Sequence, residues 1–233
     1  MCIRDRFASI RESVKNPTFT ERYGFFTNFI GNPNLKPEES AQIEIGAKHY
    51  LMGDRLELAI TWFDADLENE INGFVFDPVT FGFTSANVDG KSDRKGAELN
   101  FSYIATERFR IKGNYSYLDA TEEDFASNSV TEVRRPEHTG SINLDYGFNR
   151  GSLNLAVIRT GSQEDLYFPP FPPFQERVSL SGFTLVELSG QYRLSSRLTI
   201  TGRIENALDE DYEQVFGFES SRAAAYFGFR LNW

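Results

Sequence analysis

The chain has 233 residues, a formal net charge of −10 and 40% hydrophobic residues. This acidic balance excludes nucleic acid as an expected partner, because phosphate binding needs a basic surface. No apolar run reaches the roughly 18 residues of a transmembrane helix, and the one cysteine, Cys2, leaves no internal disulfide.

Alternation of apolar and polar residues marks ten strands in chain order. The first, residues 7–14, is weak. It is followed by 39–51, 56–64, 95–104, 110–118, 138–147, 151–159, 183–194, 198–206 and 223–233. Most have the roughly 9–11 residues that a tilted strand needs to cross a bilayer. Their faces separate: Leu99, Phe101 and Tyr103 oppose Glu98, Asn100 and Ser102, and Ile142, Leu144 and Tyr146 oppose Ser141, Asn143 and Asp145. The polar face also carries Glu44, Lys48, Glu57, Arg110, Lys112, Glu187, Arg193, Arg203, Glu205 and Arg230. Mixed charge of this kind does not mark a simple water-filled pore.

The connections alternate in length. Short turns fall at 52–55, 105–109, 148–150 and 195–197, and long loops at 15–38, 65–94, 119–137, 160–182 and 207–222. Short turns on one side and long loops on the other mark an up-and-down barrel of the outer membrane. Greek-key links of a soluble sandwich would not keep this parity. The chain stops on a patterned strand in which Phe227, Phe229, Leu231 and Trp233 share one face. That end lies on the short-turn, periplasmic side, so the five long loops are expected outside the cell.

Several motifs then accumulate in order. Gly31-Asn32-Pro33-Asn34-Leu35-Lys36-Pro37-Glu38 with Glu44-Ile45-Gly46, Asn87 with Lys95-Gly96-Ala97-Glu98, Arg134-Arg135-Pro136-Glu137-His138, and Ile204-Glu205-Asn206-Ala207-Leu208-Asp209 with Tyr212 resemble segments of TonB-dependent outer-membrane receptors. The aromatic-ended last strand is similar to that family's C-terminal assembly signal. Ala207, Ser221 and Trp233 depart from the usual residues without breaking the pattern, and the layout is nearest the cobalamin and small siderophore receptor branch.

The resemblance implies an all-β, antiparallel up-and-down transmembrane β-barrel, plugged and of about 22 strands, of which this chain supplies the last ten. Residues 7–233 are expected to be the C-terminal part of that barrel, with the plug, the TonB box and the earlier strands missing. Residues 1–6 match neither a strand nor a targeting pattern and are expected to be an accidental start. An open arc leaves unpaired backbone groups at both edges, so it is not expected to insert stably or transport alone. The implied partners are outer-membrane lipid, the barrel-assembly machinery, the TonB complex through the missing part, and an iron-siderophore or cobalamin ligand. The implied location is the outer membrane of a Gram-negative bacterium. A passive porin-type channel is the alternative, and a soluble β-rich binding module a weaker third reading.

Loop aromatics are the candidate ligand contacts. Tyr23, Phe25, Phe26 and Phe29 crowd one loop; Tyr167, Phe168, Phe171 and Phe174 another; Tyr212, Phe216 and Phe218 the last. Rings grouped among polar residues mark binding surfaces and suit flat ligands such as catecholate siderophores or a corrin, although they equally suit packing between loops. The Asn32–Glu38 segment reads first as a turn device. The acidic runs Glu122-Glu123-Asp124 and Asp209-Glu210-Asp211 with Glu213 lack calcium-loop spacing and read as a solvated rim, so no metal or cofactor is expected. His49 and His138 stand apart, there is no nucleophile elbow or phosphate loop, and no enzyme is expected.

Overall fold

The computed structural model describes residues 4–26, 28–88, 90–123, 128–173 and 175–232. Phe174 and Trp233, named above as candidates, and Cys2 and Asp124 lie outside these residues. In chain order the elements are β1 (Arg4–Lys15), α1 (Phe19–Tyr23), β2 (Glu38–Leu51), β3 (Leu56–Glu68), β4 (Ile71–Asp77), β5 (Gly82–Asn87), β6 (Lys91–Thr106), β7 (Phe109–Glu123), β8 (Ser129–Thr131), β9 (His138–Phe148), β10 (Gly151–Thr160), β11 (Gln163–Tyr167), β12 (Glu176–Leu180), β13 (Phe183–Arg193), β14 (Leu198–Glu205), β15 (Glu213–Val215), β16 (Phe218–Glu219) and β17 (Ala224–Leu231).

Ten of these form one antiparallel meander in the order β1-β2-β3-β6-β7-β9-β10-β13-β14-β17, with β8 attached to β7. They are the ten strands expected from alternation. β6, with 16 residues, and β7, with 15, run further outward than expected, while β1 extends at the opposite, short-turn end, beginning at Arg4 opposite His49, so residues 4–6, expected to match no strand, are paired. The long connections are not plain loops, as the alternation count had them. Three fold into hairpins of their own, β4–β5, β11–β12 and β15–β16. β1 and β17 are the two edges of the arc.

Residues directly opposite each other in an antiparallel ladder share a face, so the register assigns every side chain. One face carries Ile43, Ile45, Ile60, Trp62, Leu99, Phe101, Ile142, Leu144, Leu153, Leu155, Leu188, Ile200, Ile204, Phe227 and Phe229. It is an apolar band that must face lipid. Aromatic rows bound it, as expected at both interfaces of an outer-membrane barrel. Tyr146, Phe148 and Tyr192 form a lower row with ring centroids 6.1 and 6.2 Å apart. Trp62, Tyr115, Tyr117 and His138 form an upper one, in which the Tyr115 hydroxyl lies 2.8 Å from His138 Nδ1. His49 also falls on this face, near its lower rim, opposite Leu58.

The other face carries every charged residue assigned to the lumen above, and several pair there. Lys48 meets Glu57 at 2.6 Å and Arg203 meets Glu205 at 3.1 Å, while Arg11 bonds Glu44. Phe7 and Phe63 also turn to this polar face. Each lies across the ladder from a glycine, Gly46 and Gly96 respectively, with its ring filling the place a Cβ would take. A ring laid over glycine covers backbone that would otherwise pack against nothing.

Candidate functional site: the loop surface at one end of the arc

The first long connection opens with a capping box. The Thr18 hydroxyl accepts from the Glu21 amide at 3.3 Å, and the Glu21 carboxylate accepts from the Thr18 amide at 2.6 Å. This starts the short helix α1, which stops at Gly24 in the left-handed region, φ 70°. The chain then doubles back on α1. Gly31 sits so close that a Cβ there would lie within 2.3 Å of backbone atoms of Arg22, Tyr23 and Gly24, so no larger residue fits.

The proline-asparagine segment that follows is an anchor. The Asn32 amide donates to the Glu21 carbonyl at 2.8 Å, and its side chain donates to the Ser85 carbonyl at 3.1 Å. Leu35 is buried. Asn87 Oδ1 accepts from the Lys36 amide at 2.8 Å, and Asn87 Nδ2 donates to the Lys36 and Asn69 carbonyls at 3.0 and 2.7 Å. Glu38 accepts from the Ile71 amide and from Lys15. The polar groups of this motif are spent on backbone, which is the turn-device reading.

On that anchor the rings assemble. Phe29 is 4% exposed and forms the floor, with Phe25, Phe26 and Phe74 5.8, 5.9 and 5.8 Å from it. Phe74 stacks on Phe83 at 4.2 Å, and Phe168 reaches both at 5.7 and 6.0 Å. Phe168 belongs to the connection after β10 and Phe74 to the one after β3, so two connections that are not neighbours in the arc meet through these rings. Phe25 is 71% exposed above the floor, and Phe171 is 77% exposed.

The β4–β5 rings were missed in the sequence. Phe74, Phe76, Phe81 and Phe83 lie at two-residue spacing on either side of a turn, which was the available hairpin signal. Of the expected contacts, the structure joins Phe25, Phe26, Phe29 and Phe168 in one cluster. Tyr23 instead packs on Phe19 at 4.8 Å, and Tyr212 packs on Phe183 at 4.3 Å. Tyr167 meets Phe216 at 5.1 Å, while Phe218 is 70% exposed.

Charged side chains brace the rest. Asp165, with no exposed side-chain surface, accepts from Arg134 Nε at 2.7 Å, the Leu166 amide at 2.8 Å and the Phe216 amide at 2.8 Å. Burial opposes its charge, but the two amides and the guanidinium outweigh burial and hold the carboxyl below its usual range. This one carboxylate ties three long connections together. Glu132 takes Arg94 through both oxygens, at 2.6 and 2.7 Å, and Arg135 at 3.0 Å. In the last connection Asn206 closes on the Glu210 amide and carbonyl and donates to the Ser221 carbonyl. Asp209 holds Arg222 through both oxygens, and the Arg222 hydrogen bond, with the Ala223 amide, lowers its pKa to about 2.

Among the described residues no group of three or more His, Cys, Asp or Glu is placed to hold a metal ion. What the surface offers is exposed phenylalanine on a rigid, mutually braced base, which suits binding an apolar-faced ligand without reacting with it.

The comparisons agree with this geometry. Residues 6–207 match the family described as "TonB dependent receptor-like, beta-barrel". The fold resembles the ferripyoverdine receptor of the outer membrane of Pseudomonas aeruginosa, with a TM-score of 0.74 at 19% identity over 98% of this chain and 31% of that one. It also resembles the copper transporter OprC, with 0.75 at 16% identity over 98% and 37%. The siderophore receptor PirA from Acinetobacter baumannii gives 0.71 at 16% identity over 97% and 38%. The chain thus spans about a third of the length of these structures.

Proposed function

The chain belongs to the TonB-dependent receptor-like β-barrel family, and from that premise we propose that it is the C-terminal arc of a receptor that imports a large, scarce metal chelate. The family consists of outer-membrane transporters, not enzymes. The outer membrane is therefore the setting of this chain, and its apolar band faces lipid.

In this reading strands outside the chain close β1 onto β17, since only a closed barrel satisfies its edges in hydrocarbon. A plug fills the lumen and pairs with its mixed charges. The TonB complex supplies energy through that plug, and the barrel-assembly machinery reads the terminal strand, with Phe227, Phe229 and Leu231 on one face and Trp233 at the end. The ligand meets the loop surface, where Phe25, Phe26, Phe168, Phe171, Phe216 and Phe218 are the contact residues, with Tyr23, Tyr167 and Tyr212 at their margin; Phe174, in the same connection as Phe171, is a further candidate on sequence grounds. Phe29 supports them from beneath. An iron-siderophore is favoured over cobalamin, because similar folds include receptors named for siderophores.

The observation that carries this reading is the exposed ring cluster held by loops that brace one another. The test is uptake of radiolabelled ferric chelates by cells expressing the whole receptor, with and without TonB. Energy-coupled import predicts accumulation that stops when TonB is deleted. Uptake that persists without TonB, following the external concentration, identifies a passive channel instead.

A further inference from the structure

The charge of the chain is segregated. The five connections that bear the long loops (residues 16–37, 69–90, 124–137, 161–182 and 206–223) hold fifteen acids and six bases. Nine of the ten net negative charges therefore sit at this end, and the strands and short turns are almost neutral. The same segments hold 14 of the 22 phenylalanines. Apolar rings and excess negative charge thus occupy the same surface.

The six bases offset only part of this: Arg134, Arg135, Arg177 and Arg222 are each held by an acid, Arg22 donates to the Leu35 carbonyl, and Lys36 lies on the first connection, away from the hairpins of the last two. Three acids without an ion pair among the described residues, Glu176, Glu213 and Glu219, lie on the hairpins that carry exposed rings. Glu176 stands directly across the β11–β12 ladder from Tyr167, whose ring meets Phe216. Glu213 stands across from Glu219 on the hairpin that carries Phe216 and Phe218. Glu176 and Glu219 make no ion pair among the described residues. Like charges directly opposite in a ladder are unfavourable, and a ligand bearing positive charge would relieve them.

We propose that this loop surface selects metal chelates without net negative charge, neutral or cationic, and disfavours polyanionic ones. Ring faces accept apolar ligand arms and attract cations, and carboxylates on the same hairpins act over a screening length of roughly 8 Å at physiological salt. A ferric ion wrapped by three hydroxamates is neutral. Wrapped by three catecholates it is a trianion, which fits the rings but not the charge. The inference rests on the import reading above and narrows its ligand class.

The test uses the whole receptor in detergent with two probes, ferrichrome (neutral) and ferric enterobactin (trianionic), titrated at low and high salt. Binding of ferrichrome is expected to be about tenfold tighter at low salt, with the gap closing as salt screens the loops. Two double variants, Glu176→Lys with Glu219→Lys and the near-isosteric Glu176→Gln with Glu219→Gln, are expected to narrow the gap, the lysines more. Heat-modifiable mobility on gels confirms that each variant folds. Equal or tighter binding of the trianion, or a gap that neither variant changes, overturns the charge inference and leaves import standing. Failure of both probes to bind overturns the import reading and the inference with it.

Discussion

Asn87 clasps the backbone of Lys36 at both ends, its Oδ1 accepting from the Lys36 amide at 2.8 Å and its Nδ2 donating to the Lys36 carbonyl at 3.0 Å. The two residues are 51 apart in sequence, and the clasp fixes the first long connection onto the second. Replacing Asn87 with Ala removes this clasp and the bond to Asn69. The expected loss is about 2–3 kcal/mol, at roughly 1 kcal/mol per bond. Hydrogen exchange should show it as faster exchange confined to residues 16–37 and 69–90. Asn87→Asp keeps the acceptor but sets a carboxylate oxygen against the Lys36 and Asn69 carbonyls, so it should lose at least as much as Asn87→Ala.

Asp165 is sensitive to a change of a single atom. In Asp165→Asn the retained Oδ1 still accepts from Arg134 and Leu166, but the new amide nitrogen faces the Phe216 N–H, donor against donor. A buried donor without an acceptor costs about 1–3 kcal/mol. Arg134→Ala should cost less, because Arg134 is half exposed and two amides still serve the carboxylate. Amide exchange at Phe216 ranks them: wild type slowest, Arg134→Ala next, Asp165→Asn fastest. The reverse order of the two variants would mean that the ion pair, not the amide, holds the last loop.

The last connection should resist acid until very low pH. Asp209 titrates near 2 in the folded loop, against about 3.9 in an unfolded chain. A depressed carboxylate pKa stabilises above the unfolded value, and that contribution is lost as pH falls through the folded one. Pepsin, which is active in acid, should therefore spare residues 206–223 at pH near 4 and cut at Phe216 or Phe218 as pH nears 2. Arg222→Gln should allow cutting already near pH 4.

The ten strands were legible because a bilayer imposes period 2 on every one of them, and the register confirms the face assigned to each lumenal charge from Glu44 to Arg230. Strand ends were less legible. Above the lipid, β6 and β7 continue through Asp93 and Thr121, which pair directly across the ladder, and no hydrophobic alternation marks polar pairs of that kind. The loop surface was half legible. Composition flagged the rings at Phe25, Phe26 and Phe168, but not that Phe29 lies beneath them or that Phe74 and Phe83 complete the cluster. Those contacts join residues from separate connections, and no local pattern encodes which loops lean on one another.

The face assignment itself makes the sharpest test, because neighbouring residues must respond oppositely. Leu188 lies in the apolar band, opposite Leu155 and Ile204, while Ser189 faces the lumen between Asn154 and Arg203. Arginine on the lipid face near the midplane costs about 2–4 kcal/mol, and far less on the lumen side. Leu188→Arg should therefore lower the unfolding free energy of the whole receptor in vesicles by about that amount. Ser189→Arg adds its charge to the lumen face, between Arg203 and the acids Glu187 and Glu205, so it should cost a fraction of this. Equal losses for the two variants would mean that β13 does not present one face to lipid and the other to the lumen.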